Sequence, residues 1–315
     1  GNVIAEYGDA RRKCLLAFDA HMDHPGFIIA KNSVRNRTQA LFYGGVEESY
    51  FKGERIKVFT ADGPVRAQVV RTKFNLKRHI KQVELKTEGP VFRGDAAMWD
   101  LPPFTFKGGI IHTRGSDDVI GCAAILAWLD ELVRRKISCR VMGVFTVAEE
   151  GGLYGATHLA IKKRLPGDVP IITLETSSER PNALIGDGMV IRVGDNRSVF
   201  HDGLTRYLTL TAARLARRDK SFMYQRRLMD GGRCESTVFQ MFNYDTAALC
   251  IPLGNYHNRD VKRKKIAAEY VSLADLTGMV RVMVAAVQNP AGLKKALHPK
   301  PPRYRCEKRP LGEIL

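Results

Sequence analysis

Five side chains of metal-ligand type occur along the chain in the order His21, Asp117, Glu150, Glu175 and His257. Four of them come just after an apolar run, at residues 14–18, 141–147, 170–174 and 247–253. Short apolar runs with polar ends are how parallel strands covered on both faces appear in sequence. In open α/β sheets ligands bind beyond the carboxyl ends of such strands. Several hard-metal ligands at those ends therefore point to one convergent site. Two imidazoles with three carboxylates form a nitrogen and oxygen set suited to zinc first, and also to cobalt or manganese, while the lack of thiolates argues against a structural zinc. Two such ions bridged by a carboxylate and a water would generate hydroxide near neutral pH and polarise a carbonyl, which fits amide hydrolysis.

The individual residues suggest a division of labour. His21 and Asp23 lie two apart and share one side of an extended segment. The imidazole is the ligand type, and Asp23 is the type of carboxylate that accepts its second ring N–H. Asp117 is short enough to reach two ions at once, whereas Asp118 beside it could do no more than cap a helix. Glu149 and Glu150 leave the backbone in different directions, so one can bind metal while the other serves as base. Glu175 ends an apolar run, an odd place for a carboxylate without a partner. His257, alone, would read as structural; the set makes it a ligand.

These residues need a framework. At 315 residues and 44% hydrophobic content the chain can bury a sizeable core. The expected fold class is α/β, a three-layer αβα domain formed by residues 1–32 and 109–315, interrupted at 33–108 by a β-rich insert. The insert is indicated by strand-like runs at 40–43, 55–59 and 65–70 that alternate with Gly and Asp turns. Helices are expected at 119–135, 153–164 and 273–288, the first with Ile120, Ala123, Ala124, Ala127 and Leu132 on its apolar face. A Pro-rich basic tail starts at His298.

The 50 Lys and Arg against 33 Asp and Glu give a net charge of +17. The charge is dispersed without an aromatic-interleaved stripe, so a solvated basic surface is favoured over nucleic-acid binding. Six scattered cysteines with no CxxC pair favour a reducing, cytoplasmic compartment. No apolar stretch is long enough to span a membrane.

The segments Ala20-His21-Met22-Asp23, Ser116-Asp117-Asp118-Val119-Ile120-Gly121, Val147-Ala148-Glu149-Glu150-Gly151-Gly152 and Tyr256-His257 together resemble the dinuclear metallo-aminopeptidases of the glutamyl and tetrahedral aminopeptidase group, cellulase M-like members of the zinc exopeptidase superfamily. The resemblance implies that His21, Asp117 and Glu175 hold one metal and Asp117, Glu150 and His257 the other, with Glu149 as general base. It implies peptide substrates trimmed from the N-terminus, and oligomers built through the insert, which would also act as a lid. The chain departs from the family pattern at His24, where Glu is usual, at Val119, where Arg is common, and at Glu175, where Asp is usual. Glu235, in a Gly-rich stretch, is a candidate contact for the substrate's amino terminus. Such enzymes carry a helical segment ahead of the Gly-Asn seen here, so the resemblance also implies a truncated or partly ordered chain. A related carboxypeptidase or amide deacylase is the enzymatic alternative, and a catalytically impaired basic scaffold the non-enzymatic one.

Overall fold

The computed structural model describes residues 1–75 and 80–299. Its centre is four parallel strands, adjacent in the order Val141–Thr146, Ala17–His21, Ile171–Ser178 and Thr246–Leu253. All four are buried on both faces apart from the last two residues of Ile171–Ser178, as their unbroken apolar sequences require. Val3–Tyr7 adds an antiparallel edge, and Met189–Gly194 and Tyr224–Leu228 complete a seven-stranded sheet on the other side.

Helices cover both faces. Val119–Arg134, Asp202–Arg218 and Leu273–Val287 pack over Phe18, Leu249 and Ile251 on one face. Tyr154–Ile161 and Glu235–Met241 pack over Ala17, Met142 and Val144 on the other. The expected three-layer αβα arrangement is the one found. The face of Val119–Arg134 that packs on the sheet differs from expectation: Ile120, Ala124, Ile125, Trp128 and Leu132 are buried, whereas Ala123 and Ala127 are exposed. Burying Ile125 and Trp128 removes more apolar area than burying two alanines, and the larger side chains set the rotation. The Trp128 ring meets Phe18 edge-on at 4.8 Å. Ser272 starts the last long helix by accepting the N–H of Asp275 at 3.3 Å.

Between the first two parallel strands of the chain lies a closed six-stranded barrel, ordered Gly26–Ile29, Arg37–Tyr43, Ile80–Thr87, Gly63–Asn75, Arg55–Thr60 and Ala96–Trp99. Phe27, Phe42, Phe51 and Trp99 meet at its centre, with ring centroids 4.9 to 6.0 Å apart. These aromatics are the barrel's own core, while Tyr43 and Phe59 remain exposed.

The barrel does not keep to 33–108. It takes in Gly26–Ile29, whose Phe27 and Ile29 alternate inward, and it closes at Trp99. Phe104–Lys107 instead forms a hairpin with Ile110–Thr113, which pairs onward with Glu269–Ser272 in the main domain. Gly108 and Gly109, at φ +59° and +79°, are the two turn residues of that hairpin rather than a linker. Pro290–Leu297 forms a further helix ahead of the tail. The tail from Lys300, with Cys306, and the basic pair Lys77-Arg78 lie outside the described residues. Among the described residues no helix is long and apolar enough to cross a membrane.

Candidate metal centre

The central strands converge on one point. Pairing between Ala17–His21 and Ile171–Ser178 ends at Asp19 with Thr173. Two residues further along each strand, His21 and Glu175 stand level across the opened crevice. The strand Ile171–Ser178 continues through Glu175 rather than ending there, so the carboxylate projects from a strand and is only 6% exposed. Asp117 arrives on the loop ahead of Val119–Arg134, Glu149 and Glu150 follow Val141–Thr146, and His257 follows Thr246–Leu253. Ala148 at φ +57° and His257 at φ +55° hold left-handed backbone that costs non-glycine residues roughly 1–2 kcal/mol each. Both turns direct the adjoining ligand-type side chains into the crevice.

Ligand-type atoms of His21, Asp117 and Glu175 all lie within 4.8 Å of one another, and those of Asp117, Glu150 and His257 do so as well. Asp117 belongs to both groups. Its Oδ1 is 3.3 Å from His21 Nε2 and its Oδ2 is 3.6 Å from His257 Nε2, while Glu150 Oε1 is 3.1 Å from the same His257 nitrogen. His21 Nδ1 donates to the carbonyl oxygen of Asp23 at 2.9 Å, and His257 Nδ1 donates to that of Gly45 at 3.2 Å. Carbonyls only accept, so each ring keeps its proton on Nδ1 and turns Nε2 toward the carboxylates. The Tyr256 ring stacks on His257, with centroids 3.8 Å apart.

The electrostatics match a cation-binding cradle. Burial works against the Asp117 carboxylate, yet its contacts with the His21 and His257 rings outweigh it and lower its pKa. Burial raises Glu175 well above the ordinary carboxylate range, with Asp117 adding to the effect. Burial likewise pushes Glu149 up to about 7, partly opposed by His21 and reinforced by Glu150 and Asp117. Five donors of hard or intermediate type, four buried and Glu150 half-buried, three of them mutually repelling, fit divalent ions.

Two expectations need correction. Asp23 does not hold the His21 ring through its carboxylate, whose nearer oxygen is 3.8 Å from Nδ1. Its carboxylate accepts the backbone N–H groups of Glu149 and Glu150, each at 3.0 Å, and so fixes the turn that separates those two side chains. Glu235 is fully buried at the start of Glu235–Met241, where it accepts the Thr146 hydroxyl at 2.6 Å. Full burial leaves it no exposed surface to offer a substrate amino terminus. Asp118 occupies the N-cap position without making a side-chain capping bond.

Three features were not read from the sequence. Gly45 acts through a backbone oxygen, which no residue type announces. Lys81, on the barrel strand Ile80–Thr87, donates to the carbonyls of Gly44 and, at 3.5 Å, Val46, on either side of Gly45. Arg180, Arg192, Arg233 and Arg259 line a cleft of about 190 Å³ beside Glu175 and Tyr256. Arg192 is only 3% exposed and its Nε has no hydrogen-bond partner.

The family model for the M42 glutamyl aminopeptidases matches residues 81–273, more than half of the chain. The chain belongs to this family. Membership makes it a metal-dependent aminopeptidase and leaves the carboxypeptidase, deacylase and scaffold readings without support. A curated relative named "Putative aminopeptidase SgcX", from Escherichia coli (strain K12), is 23% identical over 337 residues, covering 96% of this chain and 85% of its own. The TET aminopeptidase from the marine sediment archaeon Thaumarchaeota archaeon SCGC AB-539-E09 superposes with a TM-score of 0.76 at 19% identity, covering 94% and 87% of the two chains. Pyrococcus horikoshii TET1 peptidase, described as assembling into a tetrahedron or a large octahedral shell, gives 0.72 at 23% identity over 90% and 86%. At these identities the structural likenesses establish the shared fold.

Proposed function

We propose that the chain is a dinuclear aminopeptidase in which His21, Asp117 and Glu175 hold one divalent ion, and Asp117, Glu150 and His257 the other, zinc being the best match to the donor set. The observation that carries this reading is the membership of Asp117 in both ligand groups, one oxygen toward each histidine. When bound, the two ions would acidify a water and polarise the scissile carbonyl. Glu149 is half-buried beside the ligand groups, and desolvation raises its carboxyl to about 7, which suits proton exchange near neutral pH. It removes the proton from the attacking water and returns it to the leaving amine. Asp23 keeps Glu149 and Glu150 apart in these roles by holding both of their backbone N–H groups.

The arginine-lined cleft next to Glu175 supports a preference for acidic N-terminal residues. Arg180 and Arg259 are balanced by Asp230 and Glu47, each at 2.6 Å, but Arg192 makes only 3.4 Å contacts to the Ser177 hydroxyl and the Met229 carbonyl. A substrate carboxylate entering this cleft would add to the pairing that Glu175 and Asp195 already give Arg192.

The exposed Phe104 and Phe106, near an apolar groove of about 1000 Å³ between barrel and main domain, support a homo-oligomer. So does the assembly described for the Pyrococcus horikoshii relative. Five buried free cysteines support a reducing, cytoplasmic home. Cleavage of a peptide library by zinc-reconstituted protein, with elemental analysis of the same sample, tests the reading: release of N-terminal Asp and Glu with two ions per subunit is expected. Cleavage only from the carboxyl end, or full turnover at one ion, would overturn it.

A further inference from the structure

His24 holds together the two loops that carry Asp117 and His257. Its Nδ1 lies 2.7 Å from the backbone carbonyl oxygen of Asp117, and its Nε2 lies 2.9 Å from Oδ1 of Asn258, the residue after His257. The first contact fixes Nδ1 as a donor, because a carbonyl can only accept. The second depends on which way the Asn258 amide points. That is settled by its other end: Nδ2 faces two carbonyl oxygens, of Arg114 at 3.1 Å and Ala267 at 3.2 Å, so it must be the NH₂ and the oxygen must face the ring. The ring therefore spans the two loops, with one nitrogen on each.

A buried carboxylate sits behind the same two loops. Glu269 is fully buried in the strand Glu269–Ser272. Its Oε2 accepts the N–H groups of Ser116 at 2.6 Å and Asp117 at 3.1 Å, and its Oε1 accepts that of Asn258 at 3.3 Å. The peptide groups on both sides of the Asp117 α-carbon are thus held, the carbonyl by His24 and the N–H by Glu269. Asn258 is held in the same way, by its side chain and by its N–H. Asn258 is fully buried, and Asn258 and His257 both have left-handed backbone, so their loop needs such fixing.

We propose that His24 is a positioning residue of the metal centre: by spanning the Asp117 carbonyl and the Asn258 side chain with its two ring nitrogens it locks the Asp117 loop to the His257 loop and thereby sets the spacing of the two ligand groups. It touches neither ion nor substrate. Because Asp117 is shared, loosening this lock should weaken both ions together. The proposal rests on the two-metal reading for its consequence and on the hydrogen-bond geometry for its substance, and these can be tested apart.

The first measurement is nitrogen-15 spectroscopy of the histidine rings in metal-free, full-length protein, with the His24 signal assigned by comparison with His24→Gln. A ring proton on Nδ1 held in a hydrogen bond to the Asp117 carbonyl and slow to exchange is expected, and a freely exchanging His24 ring would overturn the proposal whether or not any metal binds. The second is zinc affinity by chelator competition for His24→Phe, His24→Gln and Asn258→Leu. Loss of both contacts in His24→Phe should weaken both sites about 10- to 100-fold. His24→Gln, which keeps an amide donor, should recover part of that loss, and adding Asn258→Leu to His24→Phe should cost less than the product of the two single effects. Unchanged affinity in folded His24→Phe, or loss at one site alone, would contradict the lock. Should His24→Phe fail to fold, the ring spectrum and the Gln variant still decide. If the unaltered protein binds no zinc, the metal reading fails and the ring spectrum alone judges the lock.

Discussion

His257 donates from Nδ1 to the backbone oxygen of Gly45, 3.2 Å away, so a ligand-type side chain of the main domain takes its ring orientation from the inserted barrel. Lys81 ties down the carbonyls flanking Gly45, and Arg259 meets Glu47 of the same loop at 2.6 Å. The barrel is thus part of the site's construction as well as a cover beside it. Lys81→Met should weaken the ion held by His257 by about 10- to 100-fold, as expected when a ligand's supporting partner is lost, and leave the His21 site nearer its original affinity. Chelator competition resolves the two sites; equal weakening of both, or of neither, would contradict this.

Replacing Glu149 with Gln should leave both ions bound and lower turnover by roughly two to four orders of magnitude, the usual contribution of a positioned base. Elemental analysis beside steady-state kinetics checks it. Loss of an ion in parallel with activity would mean that Glu149 and Glu150 have each other's roles.

Much of this site was legible because its side chains sit where strands end, and strands buried on both faces are hard to mistake. His21, Glu150, Glu175 and His257 could be placed that way. What the sequence hid falls into two kinds. Gly45 works through its backbone, and Arg192 is identified only by a pocket formed from distant segments. Asp23 and Glu235 were misjudged because spacing along the chain says which residues are near each other but not which way a turn or a helix start rotates them. The barrel boundary failed for a similar reason: a Gly-Gly hairpin turn and a linker have the same composition.

Trp128→Ala should destabilise the protein by about 3–5 kcal/mol, because the ring is fully buried between Val119–Arg134 and the central sheet and packs edge-on against Phe18. Urea unfolding of the metal-loaded variant measures this. A loss below about 1 kcal/mol would show that the helix does not depend on that contact.

Phe104 and Phe106 are 58% and 53% exposed on an edge strand and should lie in the contact between subunits. Changing both to Asp should shift the protein to a smaller species in light scattering while metal content stays the same. The same mass for variant and parent would exclude this strand from the assembly.

A dinuclear centre requires that the two ligand groups each hold an ion. Anomalous diffraction from zinc-soaked crystals tests this most directly. Two peaks are predicted, one among His21, Asp117 and Glu175 and one among Asp117, Glu150 and His257, with Asp117 between them. No peak at these groups, or a single ion with His257 unliganded, would contradict the two-metal centre.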